Sequence, residues 1–226
     1  MAEILDIQKP IIFDESISHY EVHSHQPYAS STFNNSDKIR ISIQHQDLCI
    51  LPSKSSLYIC GRFVKEDGTG ADATMNLVNM AICHMFEEIR YELNAVEIDR
   101  CKNVGLTSLM KNYISLSPGQ LNLMENAGWL INNDSKLTND NGYFKISIPL
   151  SYILGFAEDY NRIIINAKHE LILIRSNSDV NTYIHTPAAV GENAEIVKVL
   201  FNKVEWNVPY VTMSDKQFKT VRWTVE

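Results

Sequence analysis

The sequence lacks the features that mark disulfide-rich or nucleic-acid-binding proteins. Its four cysteines form no C-x-x-C pair and are spread along the chain at Cys49, Cys60, Cys83 and Cys101. So few cysteines in a chain of 226 residues favour a reducing compartment. Lysine and arginine form no run, and 27 acidic residues outnumber 20 basic ones. The resulting net charge of −7 argues against binding to the phosphate backbone of a nucleic acid.

Long hydrophobic runs are also lacking. The N-terminal stretch MAEILDIQKPIIFDES contains acids and has neither the basic region nor the apolar core of a signal peptide. No apolar run approaches the roughly 18 residues of a membrane-spanning helix. We therefore expect no secretion by a signal peptide and no membrane span. The hydrophobic content of 45% is that of an ordinary globular chain, long enough for one large β domain or two small ones.

Alternation of apolar and polar residues, the pattern of a strand with one buried face, recurs along the sequence. It is clear at residues 38–44 (KIRISIQ), 56–65 (SLYICGRFVK) and 143–150 (YFKISIPL), and weaker at residues 19–25. Residues 168–175 (KHELILIR) are instead apolar on both faces. A strand of this kind is covered on both faces, so we expect it inside a sandwich or against a neighbour.

Two local features predict irregular strand pairing. Gly61 interrupts a strand pattern, which predicts a bulge or a close approach of backbones. The apolar residues change parity between Phe201 and Val204, which is the shift that a β-bulge produces.

Helical spacing appears only in short segments. Residues 103–113 predict a helix, and residues 120–129 a second short one. The apolar stripe of the first consists of Leu106, Leu109, Met110 and Tyr113. Residues 76–100 fit both periods, and we favour a strand, a turn near Asn94–Ala95 and a second strand. About eight strands, two or three short helices and no βαβ rhythm predict an all-β antiparallel sandwich.

His23 and His25 lie on one face of the first predicted strand, as the metal-binding histidines of a cupin-type jelly roll would. Such a site also needs a carboxylate a few residues further on and a glycine after it. The next residues, QPYAS, supply neither. We therefore favour exposed strand residues over metal ligands, and we predict no metal and no cofactor.

Ser108 and Lys111 match the S-x-x-K signature of serine acylation on a predicted helix. The supporting S-D-N and K-T-G elements are absent from the sequence. A match this short arises often by chance, and the apolar stripe of the helix explains the neighbouring residues without chemistry. We predict no catalytic residue.

Three segments carry a family resemblance when they are read together. Residues 144–178 look like a strand, a short helix and a second strand; residues 103–116 (NVGLTSLMKNYISL) look like an inserted helix; and residues 196–211 (IVKVLFNKVEWNVPYV) look like a closing strand. Together these three segments resemble the double jelly-roll-like proteins of insect and other animal genomes. That family is related to the major capsid proteins of Polinton/Maverick elements and similar large DNA viruses.

The resemblance implies an eight-stranded jelly roll, with the short helices inserted in its loops. In the family a second roll follows in the same chain, three chains form a pseudo-hexagonal capsomer, and no residue is catalytic. We expect an N-terminal arm at residues 1–18, the roll at residues 19–212, and a tail or the start of a linker at residues 213–226. Because those last residues leave no room for a second roll, we expect the first half of a longer product or a shortened relative.

We therefore predict a non-enzymatic structural protein of capsid type that self-assembles into capsomers. Its expected partners are copies of itself, as a trimer, and other capsid proteins, in a virion or inside the cell. The loop NAGWLI supplies the predicted contact residues, which are Trp129, Leu130 and Ile131. Two alternatives stay open: a cupin-like metalloenzyme that uses His23 and His25, and a host-domesticated binding module that does not assemble.

Overall fold

The computed structural model describes residues 17–28, 33–44, 49–65, 75–130, 136–139, 141–185 and 197–213. The strands are β1 (Ile17–His25), β2 (Lys38–Ile43), β3 (Cys49–Ile50), β4 (Ser56–Lys65), β5 (Met75–Leu77), β6 (Phe86–Leu93), β7 (Val96–Lys102), β8 (Tyr143–Pro149), β9 (Ile164–Ile165), β10 (His169–Arg175), β11 (Tyr183–His185) and β12 (Val197–Met213). The helices are α1 (Ala81–His84), α2 (Val104–Ser115), α3 (Pro118–Asn122) and α4 (Gly155–Asp159). Single 3₁₀ turns cover Pro52–Lys54, Glu125–Ala127, Leu150–Tyr152 and Val180–Thr182.

Two antiparallel sheets form a sandwich. The larger sheet has the strand order β8-β4-β12-β3-β9, with β1 also paired to β12. The smaller sheet has the order β2-β10-β6-β7, and β5 and β11 form a separate pair. Among the described strands, eight have six residues or more and the others have two or three. The predicted all-β jelly-roll sandwich with short inserted helices is confirmed.

β12 is the longest described strand and joins two parts of the larger sheet. Its first part pairs with β4 as far as Asn207, and its second part pairs with β1 from Trp206 onward. At the outer end of this second pairing, Ile17 lies opposite Met213. β12 is mostly buried, whereas β1 is exposed along nearly its whole length. β1 therefore extends beyond the core as an edge strand.

β2 and β8 each bury alternate residues, as their sequences predict. The buried residues are Ile39, Ile41 and Ile43 in β2 and Phe144, Ile146 and Ile148 in β8. Because successive side chains of a strand point to opposite faces, these residues line the inside of the sandwich. They belong to one continuous hydrophobic core between the two sheets.

β10 is buried on both faces, as predicted. Leu171 and Leu173 belong to the core, and Ile172, on the opposite face of the strand, is 0% exposed. Ile172 lies between Arg40 of β2 and Arg90 of β6, which are its direct cross-strand neighbours. Long charged side chains lay their aliphatic stems over apolar neighbours, so the two arginines account for the cover of Ile172.

The predicted bulge and the predicted close approach are both confirmed, and they meet at one place. The register of β12 on β4 shifts between Phe201 and Lys203, and Gly61 lies opposite Phe201. A Cβ atom at Gly61 would lie 2.6 Å from the carbonyl oxygen of Leu200 and 2.7 Å from Cζ of Phe144. Glycine is therefore needed where the sheet bends.

Residues 76–100 contain the predicted hairpin and an additional helix. β6 and β7 are joined at Asn94 and Ala95, whose φ angles of 48° and 64° are left-handed. The Asn94 side-chain oxygen accepts a hydrogen bond from the backbone N–H of Lys168 at 2.8 Å. This bond fixes the turn against the start of β10, which begins at the next residue. Before the hairpin lie part of β5 and α1, which the sequence did not predict, because a single helical turn is too short to produce a clear period.

The two predicted helices are confirmed. α2 covers the first predicted segment, and α3 with the 3₁₀ turn Glu125–Ala127 covers the second. No helix in the described stretches is long and apolar enough to cross a membrane.

A buried aromatic cluster joins the two sheets. Trp206 of the larger sheet is 0% exposed and meets the Tyr91 ring edge-on, with 6.1 Å between ring centres. The Tyr91 hydroxyl lies 2.6 Å from Nδ1 of His169. Burial lowers the pKa of His169 to about 4 and raises the pKa of Tyr91. At neutral pH this hydrogen bond therefore joins a protonated Tyr91 hydroxyl to a neutral imidazole.

A buried ion pair fixes the end of β10. Arg175 and Asp179 are 2.9 Å apart, and their side chains are 0% and 3% exposed. The Arg175 guanidinium lies over the Phe201 ring, 4.1 Å from its centre. The second carboxylate oxygen of Asp179 accepts the backbone N–H of Val199 at 3.0 Å. The pair thus links the loop after β10 to β12 of the other sheet.

Candidate subunit interface

A helical cap, defined as residues 104–127, fills the connection between β7 and β8. Local hydrogen bonds set its two helices. The Thr107 hydroxyl donates to the carbonyl of Lys102 at 2.9 Å at the start of α2. The Ser117 backbone N–H donates to the Gln120 side-chain oxygen at 2.9 Å at the start of α3. These contacts fix where each helix begins.

The side of α2 that faces the core carries one core valine together with small and polar residues. Its buried residues are Val104, Gly105, Ser108 and Asn112. A side chain on Gly105 would collide with the imidazole of His84, so glycine allows α2 to lie close to α1. The Asn112 amide nitrogen has no hydrogen-bond partner among the described residues. The inner side of α2 thus combines a tight contact at Gly105 with the buried side chain of Val104.

The solvent-facing side of α2 is apolar, so the usual order of an amphipathic surface helix is reversed. Leu106, Met110, Tyr113 and Ile114 are 58%, 55%, 60% and 82% exposed, and we call these four residues the outer face of α2. Leu123, directly after α3, is 82% exposed and adds to the exposed apolar surface of the cap. A contiguous exposed apolar patch marks a contact surface, whereas single exposed apolar residues do not.

The only charged side chain in α2 forms an ion pair within the same subunit. Lys111 is the sole charged residue of the helix, and its ammonium lies 2.7 Å from a carboxylate oxygen of Glu158. The same ammonium donates to the carbonyl of Ser151 at 2.8 Å. Lys111 therefore links α2 to α4 and leaves the outer face of α2 without a free charge.

One of the predicted contact residues, Trp129, lies beside this face. Trp129 is 4% exposed, so its own subunit covers nearly all of its side chain. It is buried because the Tyr113 ring covers it edge-on, with 4.8 Å between ring centres. Leu130 is half-buried, and its N–H donates to the Asn79 side-chain oxygen at 3.1 Å. Ile131 lies outside the described residues.

The exposed apolar surface is thus the outer face of α2, which includes Tyr113, and not the predicted loop beneath it. The sequence contains a signal for it. Leu106, Met110 and Tyr113 share a helical stripe, while the opposite side of the same helix carries Gly105 and Ser108. A helix whose second stripe is small and polar can present the apolar stripe to another subunit.

The two histidines of the cupin-like alternative lie on the same face of β1, as predicted. The His23 ring is centred 4.4 Å from the Tyr210 ring, and the Tyr210 hydroxyl lies 2.8 Å from Nε2 of His25. Glu21 bonds His19 and His23, and these hydrogen bonds lower its pKa. No group of three His, Cys, Asp or Glu side chains in the described part of the chain is arranged to hold a metal ion.

Ser108 and Lys111 do not form a catalytic pair in this geometry. The Ser108 hydroxyl is buried beside the thiol of Cys83. Burial raises the pKa of that thiol to about 12. Lys111 is engaged by Glu158 and the carbonyl of Ser151. The arrangement holds α2 in place and does not activate the serine.

The two-sheet sandwich with short helices inserted between its strands is a jelly-roll fold. The sequence profile described as a double jelly roll-like domain matches residues 75–223. The chain belongs to this double jelly roll-like domain family. A comparison with curated proteins finds no match.

Solved structures of viral capsids share the fold. The cryo-EM structure of the Sputnik virophage matches with a TM-score of 0.61 at 9% identity, over 93% of this chain and 51% of that chain. The Faustovirus major capsid protein matches with a TM-score of 0.54 at 8% identity, over 93% and 57%. The PBCV-1 virus capsid matches with a TM-score of 0.51 at 13% identity, over 93% and 46%. This chain therefore spans about half the length of the capsid proteins it matches.

Proposed function

We propose that this protein is a capsid-type structural protein that self-assembles into capsomers. The observation that carries the proposal is the outer face of α2, an exposed apolar surface on a domain of the double jelly roll-like family. A monomer in water gains nothing from keeping these side chains exposed, whereas a subunit of an assembly buries them. The proposal assigns no catalytic residue, metal or cofactor.

The capsomer is a trimer, as the family resemblance implies. In this proposal Leu130 and Ile131 border the contact, and Trp129 supports it from beneath by positioning Tyr113. Other capsid proteins are further partners, and assembly takes place in the cell and in the virion.

Native mass spectrometry and negative-stain electron microscopy of the purified chain test this proposal. We expect trimers or larger assemblies. The double variant Leu106→Ser/Met110→Ser removes apolar surface from the outer face of α2 and is expected to dissociate assemblies larger than a trimer. Lys145→Ser, at an exposed position in β8 outside the helical cap, is the matched control and is expected to assemble normally. A wild-type chain that stays monomeric at every concentration would refute assembly and favour the non-assembling binding module.

A further inference from the structure

We propose that the outer face of α2 pairs with the same face of a second copy of this chain across a two-fold axis, with Met110 at the centre. This inference rests on the proposed function, because it names the partner of the candidate interface; a two-fold contact of this kind joins one trimer to the next and does not close the trimer. The occupant is a second copy, and the contact is isologous: each subunit contributes the same residues.

The geometry of the helix places Met110 at the middle of the contact. Successive residues of an α-helix are rotated by about 100°, so Met110 points about 180° away from the mean direction of the buried residues of α2. Leu106 and Ile114 lie four residues before and after it, about 40° to either side. The three residues form one i, i+4, i+8 ridge. Ridges of this kind pack into the grooves of a like helix at a crossing angle of about −50°.

The ridge is complementary to itself. A two-fold axis at Met110 places Met110 against its own copy and Leu106 against Ile114 of the second copy. Aliphatic side chains thus meet aliphatic side chains throughout the contact.

Charge also favours a second copy over a charged partner. Copies of a chain with a net charge of −7 repel one another over most of their surface. α2 contains no acidic residue, and its one lysine is paired within the subunit. This helix therefore adds no acidic charge to a contact between copies. A strongly acidic or basic partner would find no free counter-charge on the outer face.

The exposed area fits the centre of a subunit contact. A fully exposed side chain of this size presents about 100 Å² of apolar surface, so the outer face and Leu123 together leave on the order of 350 Å² uncovered. A standard interface buries about 800 Å² on each partner, of which about 60% is apolar. The patch supplies most of that apolar part. The pair is therefore expected to dissociate when alone and to be reinforced by the other contacts of an assembly.

Cysteine crosslinking of the full chain tests the two-fold axis. Cys49, Cys83 and Cys101 are buried, so Cys60→Ser gives a background without an accessible thiol. Met110→Cys in this background is oxidised by molecular oxygen with copper–phenanthroline as catalyst. Two thiols lose two electrons and two protons to oxygen and form one disulfide between subunits. A covalent dimer is expected, because residues on the axis of two packed helices come within the roughly 4.4–6.8 Å between Cα atoms that a disulfide requires.

Variants away from the axis distinguish this contact from other contacts. Leu106→Cys alone is expected not to crosslink, because the two copies of this residue lie about 12 Å apart along antiparallel helices. A mixture of Leu106→Cys and Ile114→Cys chains is expected to form the mixed dimer. Lys145→Cys, on β8, is the control and is expected to stay monomeric on a non-reducing gel. Circular dichroism of the reduced variants checks that each is folded.

Native mass spectrometry of the wild-type chain, run in parallel, separates this inference from the proposed function. Large assemblies without a Met110→Cys crosslink would overturn the α2 pairing and leave capsomer assembly in place. A crosslinked dimer whose parent chain never grows beyond a dimer would support the pairing and overturn capsomer assembly. Equal crosslinking of Leu106→Cys and Met110→Cys, each alone, would overturn the two-fold geometry.

Discussion

Mild acid should weaken the fold through one buried histidine. His169 is 1% exposed, and burial lowers its pKa from 6.5 to about 4. Between these two values the unfolded chain binds a proton at this residue and the folded chain does not. The free energy of unfolding therefore falls as the pH falls from about 6.5 to about 4, and this contribution is fully present above pH 6.5.

The magnitude follows from the size of the pKa change. Each pKa unit corresponds to about 1.4 kcal/mol, so the drop from 6.5 to about 4 amounts to about 3 kcal/mol of stability lost in acid. Typical domains have free energies of unfolding of about 5–15 kcal/mol, so a loss of this size is easily measured.

Urea unfolding at several pH values between about 4 and 7.5 provides the assay. His169→Asn keeps a hydrogen-bond acceptor for the Tyr91 hydroxyl but cannot titrate in this range. The stability gap between wild type and His169→Asn should shift by about 3 kcal/mol in favour of the variant on going to low pH. Taking the difference cancels the acid sensitivity of Glu170 and Glu205, whose pKa values are lowered by their hydrogen bonds.

Tyr91→Phe is the control for the cause of the shift. It removes the hydrogen bond and leaves His169 buried, so the acid sensitivity should remain, because burial is what lowers the pKa. Parallel stability curves for wild type and His169→Asn over the whole pH range would refute the reasoning.

Three further substitutions test other contacts. Gly61→Ala places a methyl group against the Leu200 carbonyl and the Phe144 ring. Urea unfolding should show that the free energy of unfolding falls by about 1–3 kcal/mol. An unchanged unfolding midpoint would contradict the close approach. Asp179→Ala leaves the Arg175 guanidinium buried without its carboxylate, and we expect a loss of about 3–5 kcal/mol by the same measurement, with full stability as the contrary result. Leu106→Ser/Met110→Ser should change the free energy of unfolding of the monomer by less than about 1 kcal/mol, because the outer face of α2 adds little to its own core. In size-exclusion chromatography the same variant should form no assembly larger than a trimer. A large loss of monomer stability would instead assign these residues to the core.

The sequence predicts the sandwich well because strand patterns record burial directly. The alternation in β2 and β8, and its absence in β10, follow from which faces touch the core. The bulge in β12 is visible for the same reason: one extra residue moves every later side chain to the other parity. These features depend on residues close in sequence, so a pattern along the chain is enough to find them.

The candidate interface could be predicted only in part. An apolar stripe on α2 indicates that the face is covered, but it does not tell which chain covers it. The direction of α2 is set by Gly105 against His84, a contact between separate helices that no local period reveals. Trp129 is another example, because it belongs to the core and packs against Tyr113 of α2, which is distant in sequence. Such choices between inside and outside depend on tertiary packing.

The pairing of β1 with β12 has a mechanical consequence. Ile17 and Met213 lie opposite each other at one end of this pair, so a force that pulls the two residues apart acts on a single rung at a time. The cross-strand pairs are therefore expected to separate one after another, from Ile17 toward His25. The residue pairs between β1 and β12 therefore separate before the force acts on the pairs between β12 and β4. The part of the sandwich around β4 is expected to stay folded when β1 detaches.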